Sequence, residues 1–169
     1  MGGWSCLEYA LHHPENVRAL VLSSTVGTLL HPEIERIAEA LANPREAFLA
    51  RGIHPACGER MAHEQPELHF LYRGLDALSS GAIDKLAVRQ ALIGLCTRSP
   101  DDVRALRVPV LCVAGEEDAI FPTRASEIFA SLVAGGRCIT IPRCGHSTYW
   151  ERAPTFNDVV LEFLQERDR

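Results

Sequence analysis

The sequence predicts an α/β fold built on a parallel sheet, and three observations predict it. Two short, nearly continuous apolar runs, 17–23 (VRALVLS) and 108–114 (VPVLCVA), have the pattern of strands buried on both faces. Helical patterns with apolar residues at i, i+3, i+4 and i+7 separate and follow them. The order reads helix, strand, helical block, strand, helix, strand, helix, and strands alternating with helices argue for a parallel sheet.

Each element has its own signals. Residues 3–13 read as a helix with Trp4, Leu7 and Leu11 on one stripe, ended by His13-Pro14-Glu15. The first strand, 17–23, follows. Residues 26–104 then turn to helical patterns with frequent punctuation. Ile34, Ile37, Ala38 and Leu41 form one amphipathic set, and Asn43-Pro44-Arg45-Glu46 reads as an N-cap, a proline at the first turn and an acid at N3, with Gly52 closing that helix. Residues 67–78 and 82–95 are two further helical stretches, and Ser99-Pro100-Asp101-Asp102 opens a last short turn. The second strand, 108–114, runs into Gly115-Glu116-Glu117-Asp118. Arg124 to Val133 is a helix with Ile128, Phe129, Leu132 and Val133 inward, stopped by Gly135-Gly136. A third strand covers 138–141. The final helix, 154–166, carries Phe156, Val159, Val160, Phe163 and Leu164 on its inner stripe. The helical block 26–104 is too long for a plain crossover and reads as a lid insertion into a core made of 1–25 and 105–169.

Composition narrows the function classes. The 169 residues are 47% apolar and 23% charged, the ordinary balance of a globular chain. The net charge is −5, and the 17 basic residues are spread out, which argues against nucleic acid as a partner. No apolar run approaches the roughly 18–20 residues of a membrane span. The six cysteines lie within apolar patterns and read as buried free thiols, which fits a reducing, cytoplasmic compartment. The scatter His54, Cys57, His63 and His69 and the run Cys144-Gly145-His146 lack the paired spacing of a zinc site, so no metal is expected.

In open parallel sheets, reactive groups gather beyond the carboxyl ends of strands. Asp118 stands four residues past the strand ending at Ala114, and His146 five residues past the strand ending at Ile141. An acid that orients a histidine is two thirds of a hydrolytic triad: the histidine accepts a proton from a nucleophile, and the acid fixes its tautomer and stabilises the imidazolium. Phe121, Tyr149 and Trp150 flank the two loops and are candidate pocket walls. Phe48, Phe70, Leu71 and Tyr72 could cover substrate, but core contacts within the lid are the stronger expectation, and Glu151 is expected to cap or pair locally.

Three segments, MGGWSCLEYALHHPENVRALVLSST (1–25), RVPVLCVAGEEDAIFP (107–122) and IPRCGHSTYWERAPTFNDVVLEFL (141–164), together about 65 residues, resemble the C-terminal part of an α/β-hydrolase-fold enzyme. The resemblance implies a partial α/β-hydrolase fold: three parallel strands, flanking helices and a helical lid. It makes Asp118 the triad acid and His146 the general base, in the chain order this fold uses. It also implies a nucleophile elbow whose serine precedes Met1, because Met1-Gly2-Gly3 matches the continuation of that elbow. Ser5 and Cys6 are poor substitutes, since Ser5 lacks the glycine two residues later and sits on a helix. The backbone amide at Met1 would take the oxyanion-hole position. On this reading the chain is a fragment, lacking on the order of 100 upstream residues, and inactive alone.

The function implied is hydrolysis of a small carboxylic ester or lactone without a cofactor. Carbon–carbon hydrolysis, haloperoxidase chemistry and acyl transfer use the same frame. The contrasting reading is a non-catalytic relic or binding module. A small molecule is the expected partner, with self-association through the open edge of the first strand as a further expectation.

Overall fold

The computed structural model describes residues 2–40, 44–79 and 85–166. Helix α1 (Gly2–His12) and a 3-10 turn (Pro14–Asn16) lead into strand β1 (Leu20–Ser23). Among the described residues, six helices separate β1 from β2: α2 (Pro32–Ala40), α3 (Pro44–Ala50), α4 (Glu59–Glu64), α5 (Pro66–Ser79), α6 (Lys85–Ile93) and α7 (Pro100–Arg104). Then come β2 (Val110–Gly115), α8 (Thr123–Leu132), β3 (Arg137–Ile141), α9 (Thr148–Glu151) and α10 (Ala153–Gln165). The Asn43 cap and the start of the stretch expected at 82–95 lie outside the described residues, as does Met1.

The three strands pair in parallel in the order β1-β2-β3. Leu22 stands opposite Cys112, and Cys112 opposite Cys138. The central strand β2 is buried along its whole length. Its side chains alternate between two apolar clusters, as the two-residue strand period requires. Val110 and Cys112 face Leu7 and Ala10 of α1 and Ala125 and Phe129 of α8. Leu111 and Val113 face Phe163 of α10, with Phe156, Val159 and Val160 beside it. A strand covered on both faces needs apolar residues at every position, which is why VLCVA reads as a continuous run rather than an alternating one. Of the inner stripes expected for the two long core helices, Leu164 is the exception, since it is partly exposed.

The cysteines are free but not uniformly buried. Cys57, Cys112 and Cys144 are buried, Cys96 and Cys138 are partly covered, and Cys6 is exposed because it falls on the outer side of α1. Gly3 explains how α1 lies against the sheet: a Cβ there would come within 2.4 Å of Thr25, just past β1.

One ionic cluster ties α1 to both ends of the helical segment between β1 and β2. The Glu8 carboxylate accepts from Arg98 Nε at 2.9 Å, from the Arg98 Nη2 group and from the Thr28 hydroxyl. Backbone bonds join the same places, from the Arg98 amide to the Thr28 carbonyl at 3.0 Å and from the Leu30 amide to the Arg98 carbonyl at 2.8 Å. The Arg98 hydrogen bonds push the Glu8 pKa down to about 2.

Two outcomes follow from this packing. Phe163→Ala removes a fully buried ring from beneath Leu111 and Val113 and should cost about 3–5 kcal/mol in denaturant unfolding. A carboxylate with a depressed folded-state pKa stabilises fully above its ordinary value and loses that contribution as pH falls through the folded value. The Glu8 contribution is therefore complete above about pH 4.5 and disappears toward pH 2. Thermal melts should show Glu8→Gln less stable than wild type at neutral pH, with the two curves converging as acid is added.

Candidate active site

The loops after β2 and β3 are locked together by their backbones. The sheet ladder continues past the strands through Glu116 N–H to the Ile141 carbonyl at 3.0 Å and Glu117 N–H to the Cys144 carbonyl at 2.8 Å. A Cβ on Gly115 would lie 2.0 Å from the Gly145 carbonyl oxygen and 2.5 Å from that of Cys144. Only glycine fits where two main chains approach this closely. Arg143, at φ 55°, turns the second loop, and its amide donates to Glu116 at 2.9 Å.

This junction sets Asp118 against His146. Asp118 Oδ2 accepts from His146 Nδ1 at 2.9 Å. Asp118 Oδ1 accepts from the amides of Ile120 at 2.9 Å and Phe121 at 2.8 Å. Both carboxylate oxygens are thus engaged, and the side chain is 0% exposed, whereas that of His146 is 31% exposed. A carboxylate fixed in this way holds the proton on Nδ1 and leaves Nε2, the other ring nitrogen, as the basic one.

His146 opens on a cavity of about 390 Å³. Ser147, Tyr149 and Ile120 line it from the core side, with Ser23 from the end of β1. His54, Tyr72 and Asp76 line it from the helical segment. The Tyr72 hydroxyl shares a 2.8 Å hydrogen bond with the Ser147 hydroxyl, and burial pushes its pKa up to about 12. Its ring stands edge-on between His54 at 5.0 Å and Trp150 at 5.5 Å. His54 Nε2 lies 3.3 Å from Asp76, its Nδ1 accepts from the Ala56 amide at 3.1 Å, and its amide donates to His69 Nε2 at 3.0 Å.

The residues singled out in the sequence are placed as follows. Asp118 and His146 come together. Tyr149 lines the cavity, edge-on to Phe156. Trp150 stands behind Tyr72, with Nε1 directed at the Leu68 carbonyl at 3.4 Å. Phe121 packs against the core cluster formed by α1 and α8, where the Asp118 turn draws its amide inward. Ser5 and Cys6 are exposed on α1. The oxyanion position expected at Met1 lies outside the described residues.

Two expectations are corrected. Phe70 and Leu71 are not lid core: they are 79% and 51% exposed, because α5 turns its Tyr72 side toward the cavity. Glu151 does not pair only locally: it is buried and accepts from the amide of Gly58, 93 residues away, as well as from that of Gly145. Tyr72, weighed in the sequence as a residue covering substrate, does line the cavity, whereas the contribution of His54 and Asp76 was not legible as a site, since their spacing matches no motif and only the fold brings them opposite His146. Among the described residues, no cluster of histidine, cysteine and acid has the makings of a metal site.

Known proteins share this arrangement of elements. The chain is 29% identical to 2-hydroxymuconate semialdehyde hydrolase from Pseudomonas putida, over 99% of this chain and 60% of that protein. It is 28% identical to pimeloyl-[acyl-carrier protein] methyl ester esterase from Neisseria meningitidis serogroup B, over 98% of this chain and 66% of that protein. Its fold superposes on a thermophilic esterase from Thermogutta terrifontis with a TM-score of 0.70 at 24% identity, covering 98% of this chain and 62% of the esterase. The chain thus spans about three-fifths of the length of the relatives it matches. The sequence model of the S33 serine aminopeptidase family matches residues 1–153, and the chain belongs to that family of α/β hydrolases.

Proposed function

We propose that Asp118 and His146 are the acid and base of a Ser-His-Asp mechanism that hydrolyses a small carboxylic ester or lactone. The nucleophilic serine lies outside the 169 residues, at the position before Met1. The observation that carries this reading is the pair itself: a fully buried carboxylate, anchored by two amides, holding the Nδ1 side of a half-open imidazole on a cavity. An imidazole with a fixed tautomer and an accessible second nitrogen is equipped to take and return one proton per step.

In this mechanism His146 Nε2 takes the serine proton as the oxygen attacks the substrate carbonyl. Asp118 stabilises the imidazolium that forms. The proton then passes to the leaving alkoxide as the carbon–oxygen bond breaks, leaving an acyl-enzyme. Water enters, His146 removes its proton, and collapse of the second tetrahedral intermediate returns that proton to serine and releases the acid. The helical segment between β1 and β2 acts as the lid: His54, Tyr72 and Asp76 give the cavity a polar far wall against which a substrate's second functional group can orient.

Carbon–carbon bond hydrolysis is the second reading. The favouring observations are the 29% identity to 2-hydroxymuconate semialdehyde hydrolase and the structural likeness to a meta-cleavage product hydrolase from Pseudomonas fluorescens. The same base would then return its proton to carbon rather than to an alkoxide.

Two measurements test the proposal. The 169-residue chain should not react with a serine-directed fluorophosphonate, and a label dependent on His146 would overturn the placement of the nucleophile. The chain extended by the codons that precede Met1 in frame should hydrolyse a short p-nitrophenyl ester, with His146→Ala lowering kcat by about 10⁴. A stop codon directly upstream, or full activity in the His146→Ala variant, would contradict it.

A further inference from the structure

Glu151 is a buried acid close to the site that the proton transfers above do not use. It ends α9, five residues after His146, and is only 4% exposed. Its carboxylate reaches in two directions. Oε1 and Oε2 each lie 3.0 Å from the amide nitrogen of Gly58, in the helical segment, and Oε1 also accepts from the amide of Gly145 at 3.1 Å, next to His146. A third bond runs alongside, from the Ser147 amide to the Ala56 carbonyl at 3.0 Å.

The two backbones cross at van der Waals limits. A Cβ on Gly145 would lie 2.1 Å from the Gly58 nitrogen and 2.6 Å from the Cys57 carbonyl carbon. A Cβ on Gly58 would lie 2.9 Å from Glu151 Oε2 and 3.0 Å from the Gly145 nitrogen. Neither glycine has a positive φ, so close approach rather than backbone conformation requires the missing side chain. Burying a carboxylate is costly unless it is well hydrogen-bonded, and here burial raises its pKa while the Gly58 and Gly145 amides oppose the rise. A short apolar residue would fill this space without that cost, so the acid is explained by what it holds.

We propose that Glu151 is a positioning residue: its buried carboxylate bolts segment 56–58 of the lid to the loop that carries His146. The seating of the lid and the orientation of the catalytic imidazole then form one state. The inference rests on the roles given above to His146 and the lid, but the bolt itself is observable without turnover.

The test is nuclear magnetic resonance on the 169-residue chain. In the wild type, both the Gly58 and the Gly145 amide nitrogens should show a through-hydrogen-bond coupling to the Glu151 carboxyl carbon. Absence of either coupling overturns the proposal, and this measurement needs no variant to fold. In Glu151→Gln, exchange of both amide protons should speed up together by about tenfold or more, and the His146 ring nitrogen shifts should move. Arg60→Gln, which breaks an exposed ion pair between the same lid region and Glu117, should leave His146 unchanged. Equal movement of His146 in both variants would reduce Glu151 to general lid stability and contradict a positioning role. Loss of esterase activity in the extended chain with both couplings intact would instead count against the proposed reaction and leave the bolt standing.

Discussion

The backbone contact between Gly115 and Gly145 is the constraint on which the site depends. A parallel sheet delivers its strand ends side by side but does not fix where the following loops go. Here the main chains beyond β2 and β3 touch so closely that no side chain fits between them. With that contact made, Asp118 lies three residues along one loop and His146 one residue along the other. The 2.9 Å pairing follows from chain geometry rather than from a search by two flexible side chains. This is how a rigid scaffold places reactive groups on loops while keeping them within a fraction of an ångström of working geometry.

The second feature is asymmetry of burial. Asp118 is sealed, with two amides and an imidazole on its two oxygens. His146 is open on one side. A buried carboxylate with both oxygens hydrogen-bonded does not wander, and an imidazole with one nitrogen held and the ring lining a cavity can exchange protons with whatever enters. Tyr72 and Ser147 join the helical-segment side of the cavity to the core side through one hydroxyl bond, next to His146. The cavity thus belongs to both parts of the chain and exists only where the helical segment meets the sheet.

Much of this was legible in the sequence, and the reasons are physical. The buried runs VLCVA and ALVLS announce strands because a sheet covered on both faces tolerates nothing else. Asp118 and His146 announce themselves by position, Asp118 a few residues beyond the VLCVA run and His146 a few residues beyond the third strand. The polar far wall was legible only at Tyr72, because His54 and Asp76 sit on a loop and a helix whose placement depends on long-range packing. The reach of Glu151 was misread for a related reason. An acid at the end of a short helix ordinarily serves its own helix, and nothing in the local sequence reveals that a glycine 93 residues earlier passes within hydrogen-bond distance. The exposure of Phe70 and Leu71 shows the same limit, since helical periodicity finds a stripe but does not say which way it faces.

The most direct test of the central claim is the proton spectrum of the His146 ring. Two interlocked loops holding a buried carboxylate against Nδ1 should produce a slowly exchanging, strongly low-field Nδ1 proton, assigned to His146 by its coupling to the ring nitrogen. It should persist in wild-type chain and vanish in Gly115→Ala, where the added methyl forces the loops apart while Asp118 and His146 are both still present. A spectrum without that resonance in the wild type, or one in which Gly115→Ala retains it unchanged, would contradict the account.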